Sequence, residues 1–157
     1  GTSFGAALPL VLMKKITEIV DSGVDSTASL TLPFDLRQKS RARVRVDSGE
    51  EMALQLPRGI VLRHGDRLRA DDGQVIEVRA APESVSTAHS SNPMLIARAC
   101  YHLGNRHVPL QITQYWVRYA HDHVLDGMIR DLGLLVDHED APFEPESGAY
   151  SGGGHHH

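Results

Sequence analysis

A single cysteine, Cys100, stands among 157 residues. One thiol forms neither a disulfide framework nor a CxxC metal or redox motif. Any metal chemistry must therefore rest on His, Asp or Glu. No stretch approaches the ~20 apolar residues of a membrane span. The run Ala6–Met13 is short, contains Pro9 and has no basic residue before it, so it is a poor signal peptide. Residues 1–12 read as a leader, disordered or added to the natural chain, with Met13 as a natural start. The protein is expected to be cytoplasmic and reduced. An HExxH motif is also missing, and no Ser/His/Asp arrangement is identifiable, which leaves a metal-dependent hydrolase as an alternative without its usual base.

Cationic charge is scarce in the second half. Residues 1–81 carry twelve Lys+Arg, eleven Asp+Glu and one His, a net of +1. Residues 82–157 carry four Lys+Arg, nine Asp+Glu and nine of the ten His, a net of −5. Phosphate backbones are bound by cations, so nucleic-acid binding by this half is disfavoured. The same acidity and imidazole density attract divalent cations.

Hydrophobic periodicity divides the chain. In residues 13–81 short alternating runs dominate: Ser29–Pro33, Ala42–Val46 and Met52–Leu56, then Ile60–Leu62 and Val75–Val78. Turns at Asp47–Glu50, His64–Asp66 and Asp71–Gly73 separate them. This predicts a small all-β domain, sandwich or barrel-like, without helical period or catalytic constellation. Residues 82–141 change period. A strand at Val85–Ala88 precedes a helix that opens at Ser91-Asn92-Pro93 and closes at Gly104. Strands at Val108–Ile112 and Tyr115–Tyr119 follow, then a helix from about Asp122 to Leu132 with Val124, Leu125, Met128, Ile129 and Leu132 on one side. Leu134–His138 returns as a strand. The order β-α-β-β-α-β predicts a ferredoxin-like domain, making the fold class α+β. From Ala141 the chain loses its period, and residues 142–157 read as a flexible tail that ends in His155-His156-His157.

Three segments carry a resemblance. They are Ala99–Ile112, with Gly104-Asn105-Arg106-His107 at its centre, then His121-Asp122-His123-Val124-Leu125-Asp126, and Pro142–Tyr150. Together they resemble the UreE family of urease accessory nickel chaperones, densely through residues 92–150. The likeness is thinner at Lys39-Ser40-Arg41 and Leu56-Pro57-Arg58-Gly59. The resemblance implies a peptide-binding-like β domain followed by a ferredoxin-like metal-binding domain. It also implies a homodimer, with a dimer of dimers open, that holds Ni²⁺ between subunits and is not an enzyme. The implied partners are a urease accessory GTPase and the apo-urease accessory complex, with no nucleic acid and no membrane.

By the same resemblance His107 is the principal metal ligand, one from each subunit. One imidazole cannot saturate an ion that takes four to six donors, whereas a two-fold axis doubles each ligand near it. Read on its residues alone, His107 is a loop histidine bonded to backbone sooner than a ligand. His121 and His123 are implied as auxiliary ligands. In an extended segment both face one side, whereas on a helix they diverge by ~200°, and Asp122 between them is a candidate N-cap. His155, His156 and His157 are extra ligands on a mobile tail or an artificial addition; in the latter case the protein reads as a protein-binding adaptor. Ni²⁺ is the expected cargo, with Zn²⁺ and Cu²⁺ also suited to imidazole donors. His102 is expected to suit the end of its helix, and His64, His89 and His138 to be surface residues. Trp116, Tyr115 and Tyr119 are expected to pack on their strand, and Arg43 and Arg45 to form a solvated face or to meet an acidic partner.

Overall fold

The computed structural model describes residues 8–148. The chain divides at Arg79/Ala80 into two compact units. In the first, six strands make one sheet: β1 (Lys14–Val20), β2 (Ala28–Leu32), β3 (Arg41–Arg45), β4 (Glu51–Gln55), β5 (Arg67–Ala70) and β6 (Val75–Ala80), ordered β2-β6-β5-β1-β4-β3. The alternating runs account for most of it. Leu30, Met52, Leu54, Leu68 and Ile76 are almost fully buried in a common core. Strand β1 sits inside the sheet, parallel to β4 and antiparallel to β5. Its sequence conceals it, because a register shift between Ile16 and Glu18 breaks the alternation and only Ile16 is buried.

Two expectations change in this unit. A single helical turn, α1 (Phe34–Arg37), interrupts the strands. Ile60–Leu62 is not a strand. Leu62 is buried, but its backbone bonds to Arg37, whose N–H and C=O groups are held out of any ladder. The Arg37 guanidinium, fully buried, donates to the carbonyls of Leu32 (3.0 Å) and Leu62 (3.1 Å). A buried cation satisfied by carbonyls replaces sheet bonds in pinning this segment.

The second unit runs β7 (Pro82–His89), α2 (Pro93–Gly104), β8 (Gln111–Ile112), β9 (Trp116–Ala120), α3 (His123–Asp131) and β10 (Leu135–Pro142). Its sheet is antiparallel throughout, ordered β10-β7-β9-β8. Helix α2 begins where the sequence says: the Asn92 side chain accepts the Met94 N–H (3.0 Å) and Pro93 occupies the first turn. Ile96, Ala99 and Leu103 bury one stripe against Leu125 and Ile129 of α3 and Val117 and Tyr119 of β9 in one core.

Differences here have local causes. Strand β8 is two residues long, because Pro109 has no N–H for a ladder. On α3 Val124 is exposed and Asp126 is buried, so the core stripe runs Leu125–Ile129 with Asp126, not Val124, at its margin. Strand β10 continues to Pro142, and Phe143 and Pro145 are buried beyond it. The chain expected to leave as a tail at Ala141 is thus packed for several residues more.

Candidate metal centre

Helix α2 ends at Gly104, as expected, but its left-handed residue lies further on. Its last bonds pass from Asn105 to Tyr101 (3.1 Å), Arg106 to Leu103 (3.0 Å) and His107 to Gly104 (3.0 Å). The left-handed residue that ends such a turn is His107, at φ 59°, the one non-glycine with positive φ among the described residues. Glycine is the usual occupant of this conformation, because a Cβ is strained there. An imidazole stands there instead, exposed to solvent. His102, one turn earlier, is exposed and packs edge-on to the Tyr101 ring at 5.2 Å.

The His-Asp-His segment straddles the start of α3. Asp122 has extended backbone (φ −156°, ψ 114°), and its carboxylate accepts from Val124 N–H (2.8 Å) and Leu125 N–H (3.1 Å). Those N–H groups, Leu125 first and Val124 next, hold the Asp122 carboxyl below its usual range. Asp122 is therefore the N-cap. His121 belongs to the extended chain before it and His123 to the first position of the helix. His123 is exposed.

His121 is not free. Cross-strand partners share a face of a sheet, and the register Ser86↔Tyr119 and His138↔Ser86 puts Ser86, Tyr119 and His138 on one face, with Ser84 and His121 two residues along. The small serines of β7 let imidazoles from either side meet above them. His121 and His138 stack, ring centroids 3.5 Å apart and planes within 4°. His138 Nε2 lies 2.7 Å from Ser84 Oγ. His121 Nδ1 lies 3.0 Å from Ser86 Oγ and 3.3 Å from Asp126 Oδ2. The Tyr119 hydroxyl donates to Asp126 Oδ1 at 2.7 Å. Burial, and then this carboxylate, push the Tyr119 hydroxyl well above the ordinary phenol range.

His138 is exposed, as expected, but its stack on His121 was not foreseen, and Asp126, Ser84 and Ser86 were passed over. The signal was phase: His138 continues the alternation of Leu134 and Val136, and His121 that of Val117 and Tyr119. Among the residues expected to pack, Tyr119 is fully buried, Trp116 lies under the Arg118 guanidinium at 4.5 Å, and Tyr115 is half exposed. His89, at the end of β7, pairs with Asp137 at 3.1 Å. His155, His156 and His157 lie outside the described residues.

Donor chemistry favours nitrogen. Burial raises the Cys100 thiol, so thiolate is suppressed, while His107, His121 and His123 present imidazoles. Among the described residues of one chain, no three His, Cys, Asp or Glu side chains converge as a metal cage. No helix among them is long and apolar enough to cross a membrane.

Residues 16–81 match the N-terminal domain of the UreE urease accessory protein, and residues 83–157 match its C-terminal domain. The chain is 56% identical over 144 residues to the urease accessory protein UreE of Enterobacter sp. (strain 638), covering 91% of this chain and 95% of that protein. It is 56% identical over 140 residues to the one of Alkalilimnicola ehrlichii, covering 89% and 86%. The one of Citrobacter koseri is 53% identical over 148 residues, covering 92% and 97%. With both domains matched in order and relatives aligned over most of its length, the chain belongs to the UreE urease accessory protein family.

Proposed function

We propose that this chain is a nickel metallochaperone. It captures Ni²⁺ at a homodimer interface through His107 of each copy and delivers it, in the cytoplasm, for assembly of the urease active site. Zn²⁺ and Cu²⁺ compete for the same nitrogen donors. The observation that carries this reading is His107 itself: an exposed imidazole kept in a strained left-handed conformation just past the end of helix α2. Strain of that kind is retained where a side chain is needed in one place. A symmetric pair of such residues gives two donors without a cage in either chain.

His121 and His123 serve as auxiliary ligands that pass the ion outward or inward, and His155, His156 and His157 as further donors. The second unit, with its order β10-β7-β9-β8 and two helices, is read as the ferredoxin-like metal-binding domain, about residues 82–141, and residues 13–81 as the module that meets protein partners. Those partners are the urease accessory GTPase and the apo-urease complex, and dimers pair further where these require it. All-nitrogen ligation at exposed positions suits an ion that must be given up.

Equilibrium dialysis of Ni²⁺ against the full chain and against His107→Ala tests the proposal. The tightest site should vanish in the variant while the circular dichroism spectrum is kept. Unchanged tight binding refutes the assignment of His107.

A further inference from the structure

The two histidines of the His-Asp-His segment are not equivalent. His123 is exposed at a helix start, whereas His121 is gripped at one nitrogen and on one face. We infer that Asp126 is a positioning residue: with Ser86 it holds His121 as the Nδ1–H tautomer and turns the bare Nε2 outward as the nitrogen that receives the divalent cation. This rests on the proposed role of His121 as an auxiliary ligand.

Proton accounting carries the argument. Asp126 is 3% exposed, and a carboxylate offers only acceptors. Its Oδ1 accepts the Tyr119 hydroxyl at 2.7 Å. Its Oδ2 faces His121 Nδ1 at 3.3 Å, with Ser86 Oγ at 3.0 Å from the same nitrogen. Ser86 also makes a side-chain hydrogen bond with Tyr119. With a proton on Nδ1, His121 donates to Ser86 while its N–H side faces the Asp126 carboxylate across 3.3 Å, Ser86 donates to the Tyr119 oxygen, and Tyr119 donates to Asp126. With Nδ1 bare, its lone pair faces the Asp126 oxygen across 3.3 Å, and a buried acceptor loses its donor, an arrangement proteins avoid. The neutral ring then carries its one lone pair on Nε2.

Ring orientation is fixed by independent contacts. The stacked His138 ring, itself bonded to Ser84 at 2.7 Å, covers one face. The His121 backbone N–H donates to the Ser84 carbonyl at 3.1 Å. The side chain nevertheless remains 31% exposed, so an ion can reach it. Carboxylate–histidine–metal chains of this form orient ligating imidazoles and raise their basicity, and loss of the outer partner costs about 10–100-fold in metal affinity.

The experiment uses the full chain labelled with ¹⁵N-histidine. Nitrogen chemical shifts of His121 in the metal-free protein report which nitrogen carries the proton. The expected result is Nδ1–H in the parent and in Tyr119→Phe, and a shift toward Nε2–H in Asp126→Asn. Tyr119→Phe damages the same buried network while keeping the carboxylate, so a purely structural role for Asp126 would make the two variants alike. Ni²⁺ titration in a His107→Ala background should then show a loss of about tenfold or more for Asp126→Asn. A parent His121 in the Nε2–H form, or one unchanged by Asp126→Asn, overturns the inference and leaves the proposed function standing. If the tautomers behave as expected but His121→Ala in the same background takes up nickel like its parent, the ligand reading beneath the inference is the part that fails.

Discussion

At position 107 the proposed function is set against backbone comfort. A left-handed residue with a Cβ costs roughly 1–2 kcal/mol, a cost that glycine avoids while giving back ~0.5–1 kcal/mol through its freer unfolded chain. His107→Gly is therefore expected to leave the metal-free protein as stable as its parent or up to about 1 kcal/mol more so, while removing the tight nickel site. Urea unfolding of both forms, beside dialysis, checks the pair of outcomes; a clear loss of stability would mean that the imidazole holds the fold. Tyr119→Phe should act in the opposite sense. It strips a donor from the buried Asp126 carboxylate and is expected to cost ~1–3 kcal/mol, read in the same unfolding assay. Of these residues the sequence exposed His107, through a motif, and His121, through its spacing to His123. Asp126 was hidden because a carboxylate on a helix reads as solvated, and its burial depends on a phenol that arrives from another strand. His138 was hidden because its partner in space lies 17 positions away, across an intervening strand.

Elements were legible where their ends carry chemistry and obscure where tertiary contacts define them. Asn92-Pro93 announced α2 and Asp122 announced α3, since each cap is a local bond between neighbours. Asp122→Ala should lower stability by about 1 kcal/mol through loss of two N–H acceptors, measured as a lower urea midpoint. Strand β1 escaped notice because its alternation fails at a bulge, and Ile60–Leu62 misled because burial by Arg37 mimics a strand pattern. The turn between β5 and β6 was plain from Asp71-Asp72-Gly73, although strand β5 before it was not read, and this hairpin carries a pH signature. The Gln74 N–H and then the Lys14 ammonium, 2.9 Å away, hold the Asp72 carboxyl below its ordinary range. A carboxyl whose folded value is depressed contributes stability that is fully present above its unfolded value of about 3.9 and fades as pH falls through the folded one. The gap between the urea midpoints of the parent and Asp72→Asn should accordingly be widest near neutrality and should narrow below about pH 4. A gap that persists there would mean that shape, not charge, joins Lys14 to the hairpin.

For the whole molecule, the decisive quantity is how many ions are held per chain. On the proposed reading one chain contributes a single exposed donor, His107, and a lone imidazole is a weak ligand for an ion that takes four to six donors. Sharing between two copies has thermodynamic consequences that a site within one chain lacks. If the ion binds only where two copies meet, metal and subunit association reinforce each other by mass action, each shifting the other by the same factor. The expected outcome is one tight Ni²⁺ for every two chains, with nickel extending the dimer to lower protein concentrations. His107→Ala should break that coupling, because its remaining imidazoles bind within single chains. Sedimentation velocity over a dilution series, with and without nickel, reads the association, and dialysis at each concentration reads the stoichiometry. A tight ion on each chain, retained at dilutions where only monomer sediments, would move the primary site off the two-fold axis and onto residues of a single copy.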